Sequence, residues 1–192
     1  MQDFVINKGN MKCVADGCSE AIHSEVGAKL FCKLISDGFT IEESFDKLIN
    51  LIGIDYKDLS NYLSFTFLIV EELEDTFIVT YCGDGYIIKQ NIENNIEYTE
   101  IDNGEYPEYY IYNYIPEDKL NYYKEGVEYK TTEFLKSEFK NIGVATDGIR
   151  YFFQNNLDFK LTDFIKEKKE FPLKRFINAN HKLFKDDIGL VI

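Results

Sequence analysis

Two Asp-Gly pairs, Asp16-Gly17 and Asp147-Gly148, each close a short apolar run that reads as a strand and precedes a helical pattern. A carboxylate at the end of a strand is aimed out of a sheet edge. The glycine after it lets the main chain bend and bring a carbonyl close to whatever the carboxylate holds. Asp186-Asp187 adds a third acidic point, opening the last apolar run. Carboxylates delivered from three separate strand ends are the arrangement that a hard divalent cation requires. Taken singly, an Asp-Gly pair is equally a common turn signal, and Asp186-Asp187 equally a solvated turn before an edge strand.

The elements that must position these residues follow from the pattern. Asp3 to Asn7 and Met11 to Ala15 read as strands joined by the turn Lys8-Gly9-Asn10. From Ser24 to Ile35 the apolar residues Val26, Leu30, Phe31, Leu34 and Ile35 recur at helical spacing, and Asp37-Gly38 stops the helix. Thr40 with Glu43 is a capping-box pattern opening a second amphipathic helix, and Tyr56 to Tyr62 suggests a short third. Ser64–Glu71, Thr76–Cys82 and Tyr86–Gln90 are β-branched and aromatic runs separated by Glu74-Asp75 and Gly83-Asp84-Gly85, which predicts an antiparallel meander. A strand at Ile96 to Ile101 follows. The stretch 102–129, rich in Tyr, Asn, Glu and Pro, predicts an irregular insertion or flap with one strand at Tyr109 to Tyr112. A strand at 141–147, helices near 149–156, 161–168 and 172–184, and a closing strand from Ile188 to Ile192 complete an α+β layered arrangement. With 192 residues and no low-complexity linker, a single domain over 1–192 is expected.

Composition narrows the partners. A content of 45% hydrophobic and 16% aromatic residues belongs to a folded chain. Acidic residues outnumber basic ones 34 to 21, and the formal charge of −13 repels nucleic acid and anionic membrane surfaces while attracting cations. Cys13, Cys18, Cys32 and Cys82 lack metal-ligand spacing and are too sparse for a disulfide scaffold. Cys13, Cys32 and Cys82 read as buried thiols of a reducing compartment, and Cys18 as the one placed to act. No secretory leader or membrane-spanning stretch is visible, so the chain reads as soluble and cytoplasmic. The sequence sets no expectation of oligomeric state.

An ordered series of motifs carries a resemblance. It runs through Asp3 in Gln-Asp-Phe-Val-Ile, Val14-Ala15-Asp16-Gly17, Ser64-Phe65-Thr66, Tyr81-Cys82-Gly83-Asp84-Gly85, Ala145-Thr146-Asp147-Gly148 and Asp186-Asp187-Ile188-Gly189-Leu190-Val191. The series spans nearly the whole chain and resembles the metal-dependent serine/threonine phosphatases of the protein phosphatase 2C family, in particular their short bacterial members. The resemblance implies two antiparallel sheets packed as a sandwich and flanked by helix pairs, with two Mn²⁺ or Mg²⁺ ions at one end. It implies that Asp16 bridges the two ions, that the Gly17 carbonyl binds one of them, and that Asp147 and Asp186 hold the other. Asp3 would orient a metal-bound water, making Asp3 and Asp16 the catalytic pair, and Asp84 would close a structural turn. The implied substrate is a phosphorylated protein. Oxygen donors suit Mg²⁺ and Mn²⁺ better than zinc, and neither histidine lies near a ligand pair.

The chain also departs from that family. Many members carry Asp-Gly-His-Gly-Gly where this chain has Asp16-Gly17-Cys18-Ser19-Glu20, so Cys18 replaces the proposed general acid. The strand that precedes the Gln2-Asp3 motif, with its basic side chain for the substrate phosphate, has no counterpart before Asp3 in this sequence. Phosphate would then be held by the metals alone or by a substitute such as Lys12, Lys29 or His23. These departures keep open a second reading, a phosphatase-like module that binds a partner through the 102–129 segment without catalysis.

Overall fold

The computed structural model describes residues 2–192 apart from 103 and 105, two positions of the expected insertion that lie outside the described residues. β1 (Asp3–Lys8) and β2 (Met11–Gly17) are followed by α1 (Ser24–Ser36), α2 (Ile41–Ile52) and α3 (Tyr56–Leu63). Next come β3 (Phe65–Glu72), β4 (Thr76–Cys82), β5 (Gly85–Asn91) and β6 (Ile96–Ile101). Two short 3₁₀ turns, Tyr110–Tyr114 and Glu117–Lys119, interrupt the insertion before β7 (Lys130–Leu135) and β8 (Phe139–Ala145). α4 (Arg150–Gln154), α5 (Asp158–Lys166), α6 (Glu170–Ala179) and β9 (Leu190–Val191) close the chain.

The strands form two antiparallel sheets, one in the order β1-β2-β3-β4-β7 and the other in the order β6-β5-β8-β9. Alternation along the strands builds three cores. Val14, Leu68, Val70 and Val79 face Ile87, Ile142 and Val144 between the sheets. From the same strands Cys13, Ala15, Phe65, Phe67 and Ile69 point the other way, onto α1 and α2. Tyr86, Ile88 and Ala145 pack against Phe152, Leu161 and Ile165 on the far side. A strand buried on both faces reads as a continuous apolar run, as β3 does. The result is the expected α+β sandwich, with three helices on each side where pairs were expected.

Local chemistry explains the helix starts. The Thr40 hydroxyl accepts from the Glu43 N–H while the Glu43 carboxylate accepts from the Thr40 N–H, which opens α2 as the capping box requires. Asp55 caps α3 by accepting from the Lys57 N–H.

Four expectations are corrected. The three central runs do not form one meander, because β5 crosses to the second sheet and pairs with β6 and β8. Gly83 and Gly85 make that crossing at φ +94 and +145, conformations that side-chain-bearing residues rarely adopt. Tyr109 to Tyr112 is not a strand but leads into a 3₁₀ turn, where Ile111 is fully buried. β7 was not anticipated, since Lys130-Thr131-Thr132-Glu133 is polar and mostly exposed, as an edge strand can be. Finally, β2 does not bend at Asp16 but runs on through Gly17, which pairs with Phe65.

Phe31 on α1 is fully buried, with its ring centroid 4.7 Å from that of Phe67 and 5.2 Å from that of Phe65. Replacing it by alanine should lower the unfolding free energy by about 3–5 kcal/mol. Urea denaturation checks this, and a loss below about 1 kcal/mol would mean that α1 is not seated on the sheet.

Candidate metal centre

The loops at one end of the sandwich surround an open cleft of about 760 Å³, lined by β2 and β3 of the first sheet, by connections flanking strands of the second and by the 102–129 segment. Asp16 from β2, Asp84 from the β4–β5 crossing, Asp147 after β8 and Asp186 before β9 all reach it. Asp102, Glu20 and Gly17 line it as well. Asp3 lies directly opposite Asp16 in the β1–β2 ladder, so their side chains leave the sheet on the same face. Like charges so placed repel, and the surroundings show how that repulsion is relieved.

Burial first, then the Asp3 charge, push the Asp16 carboxyl up to about 10. Asp147 and Asp186 push it in the same direction. Asp16 therefore keeps its proton near neutral pH and shares it with Asp3. Burial also raises Asp3, against the hydrogen bonds it accepts. The Thr146 hydroxyl donates to Asp3 Oδ2 at 2.5 Å and itself accepts from the Gly189 N–H at 2.9 Å. Thr146 thus ties β1 to the end of β8 and to the segment before β9.

Asp147 is raised to about 6, by burial foremost, with the nearby Arg150 guanidinium pulling the other way. Arg150 opens α4, and its guanidinium pairs with the Asp147 carboxylate while Nε donates to the Asp147 carbonyl at 3.2 Å. The same guanidinium lies 3.7 Å from Asp84 Oδ2. A Cβ at position 148 would stand 1.8 Å from the Asp187 carbonyl, so only glycine lets the 186–189 segment lie against the Asp147 turn. That close approach sets Asp186 into the cleft, whereas Asp187 accepts from the Gln2 N–H at 2.7 Å.

The donor chemistry suits a hard divalent ion: carboxylate oxygens of raised proton affinity, with one cation among the described lining residues. The Thr66 hydroxyl, 4% exposed and without a hydrogen-bond partner, lines the same cleft next to Asp16 in the β2–β3 ladder. It leaves a polar group that a hydrated ion would satisfy. The spacing is looser than the sequence led us to expect. Among the described residues no three His, Cys, Asp or Glu side chains stand close enough together to hold one ion.

Other site expectations are revised. Asp84 does more than close a turn, because the crossing that carries it puts its carboxyl in the cleft. Lys12 is no phosphate ligand: it is buried and donates to Asn141 Oδ1 at 2.6 Å and the Ile142 carbonyl at 2.8 Å, tying one sheet to the other. Lys29 lies over the Phe4 ring and His23 against Tyr62, and neither is among the residues that line the cleft. Cys18 does line the cleft, beside the buried Tyr109 hydroxyl. Arg150 and Thr66 were missed. The only sequence signal for Arg150 was its place three residues after Asp147 at the start of a helix.

Comparisons with known proteins agree with this architecture. No family model and no curated protein matches the chain by sequence. Among solved structures, the serine/threonine phosphatase Stp1 from Staphylococcus aureus is similar over 98% of this chain and 87% of its own, with a TM-score of 0.59 at 14% identity. A bacterial serine phosphatase is similar over 98% of this chain and 89% of its own, with a TM-score of 0.56 at 14% identity. The chain therefore has the protein phosphatase 2C-like fold.

The Asp16 shift sets a sign. A carboxyl raised in the folded state favours folding below its unfolded pKa, here the ordinary aspartate value of 3.8, and that contribution is lost as pH rises toward about 10. In metal-free buffer, Asp16→Asn keeps a donor for Asp3 and should stabilise the chain at pH 7 by on the order of 2 kcal/mol, discounted for partial exposure. It should also flatten the fall in melting temperature between pH 5 and 8. A variant that melts lower than the parent would refute the strained pair.

Proposed function

We propose that this chain is a Mn²⁺- or Mg²⁺-dependent phosphatase that removes phosphate from phosphoserine and phosphothreonine in proteins. The observation that carries the reading is the gathering of Asp3, Asp16, Asp147 and Asp186 from separate elements at one end of a phosphatase-like sandwich. Burial and the neighbouring carboxylates raise Asp16 and Asp147, a cost that a bound cation would relieve. Asp16, Asp147 and Asp186, with the Gly17 carbonyl, would hold two divalent ions. Such ions supply hydroxide near neutral pH and neutralise charge on the phosphoester oxygens.

The chain's own groups would do the rest. With cations held there Asp16 would be ionised, and Asp3, held in place by the Thr146 hydroxyl, would be free to accept. Asp3 would then orient the attacking water through a hydrogen bond. No side chain need act as nucleophile, and with Cys18 at the position of the family's histidine, the leaving group would take its proton from water. The acidic surface suits a protein substrate rather than nucleic acid. No described helix is long and apolar enough to cross a membrane.

A second reading has one observation in its favour. The Arg150 guanidinium already neutralises Asp147, as it would in a module that binds a partner and does not turn over phosphate.

Mn²⁺-dependent hydrolysis of p-nitrophenyl phosphate by the full chain separates the two. Asp16→Asn and Asp147→Asn should each lower kcat by more than about a hundredfold, beyond the 10–100-fold typical of residues behind the ligands. Unchanged hydrolysis in these variants would sink the assignment. Free Mn²⁺ at about a hundred times its Kd should add about 2.7 kcal/mol of stability, or roughly 5–10 °C in Tm. Partner binding without turnover or a Mn²⁺-induced Tm shift would favour the second reading.

A further inference from the structure

A phosphate dianion entering this cleft meets the carboxyl groups of Asp16, Asp84, Asp147 and Asp186 among the lining residues. Among the described lining residues Arg150 is the one cationic side chain. Lys12 is locked between the sheets, and neither Lys29 nor His23 lines the cleft. Arg150 is held at the mouth of α4 and its side chain is 38% exposed, so it is anchored at one edge and open at another. Of the five N–H donors of a guanidinium, one on Nε and one on Nη2 are engaged by Asp147. The rest have no hydrogen-bond partner among the described residues. A planar fork with spare donors matches two oxygens of a phosphate, as a lysine ammonium does not.

We infer that Arg150 binds the phosphate group of the substrate, and that it shares Asp147 with the metal in competition. The inference rests on the phosphatase reading above. A divalent ion drawn to Asp147 weakens the hold of that carboxylate on the guanidinium and frees further donors for phosphate. Arg150 therefore opposes cation binding while favouring anion binding. A purely structural role would not produce that pair of opposite effects.

Isothermal calorimetry on the full-length chain tests it, with Mn²⁺ alone and then with inorganic phosphate at saturating Mn²⁺. Arg150→Ala should bind Mn²⁺ several-fold more tightly than the parent and phosphate about tenfold or more weakly. Arg150→Lys should fall between the two on phosphate. Arg150→Gln, which keeps an amide donor for the Asp147 carbonyl, carries the same expectation should the alanine variant not fold. Phosphate affinity unchanged in these variants, or Mn²⁺ and phosphate affinities weakened together, would overturn the role while Mn²⁺-dependent turnover of the parent left the phosphatase reading standing. A parent chain that binds neither Mn²⁺ nor phosphate would overturn both.

Discussion

Repulsion between carboxylates brought to one end of the sandwich is the constraint from which the site's other features follow. Asp3 opposite Asp16 is a cross-strand pair that a sheet built only for stability would not contain. The chain relieves the repulsion in three chemically distinct ways. A proton retained on Asp16 serves the first pair. The Thr146 hydroxyl supports Asp3, and the Arg150 guanidinium balances Asp147. Proton and guanidinium are both cationic partners that a divalent ion would displace, and the proposed cation site rests on that exchange.

The rest of the fold absorbs that opposition. Three apolar cores lie behind the cleft, and among the described residues Tyr109 belongs both to the first core and to the cleft lining. Lys12 is informative here. Burial lowers its pKa, yet it is satisfied by Asn141 and the Ile142 carbonyl, so it joins the sheets at a point where a polar group costs little. The cleft itself is built from short connections. Gly148 allows the 186–189 segment to lie against the Asp147 turn, and the Gly83–Gly85 crossing turns the chain between sheets just where Asp84 is needed. Stability resides in the layers, and the strained chemistry is confined to their ends.

The layers were legible because their signals are local. Period-two and helical spacing placed β1 to β6 and all six helices to within a few residues, and the capping box at Thr40 located the start of α2 to the residue. β7 escaped because an exposed edge strand has no apolar face to announce it. The crossing of β5 escaped because a Gly-Asp-Gly turn looks the same whether the next strand pairs beside the last or in the opposite sheet. For the site, the series of motifs named Asp16, Asp84, Asp147 and Asp186 of the acidic residues that line the cleft, but not Glu20 or Asp102. It gave no spacing between them, and the structure spreads them further apart than one ion's ligands would be. Arg150 and Thr66 acquire meaning only from their neighbours in space, one beside Asp147 and the other across the ladder from Asp16.

Charge balance then orders events in the cleft. Among the described residues six acidic side chains line it, Asp16, Glu20, Asp84, Asp102, Asp147 and Asp186, against one arginine. Counting every carboxyl as ionised, a dianion would face a net charge of about −5 in a partly desolvated space, where Coulomb terms are several-fold larger than in bulk water. Two divalent ions would bring that close to neutral. Under the proposed function, phosphate would have no favourable approach until cations were in place, while the same field and a chain that is acidic overall would draw cations in. Arg150 reconciles the two requirements. Against Asp147 it tempers the repulsion while no cation is bound, and its unengaged donors mark where an anion can be received once the carboxylates have been neutralised.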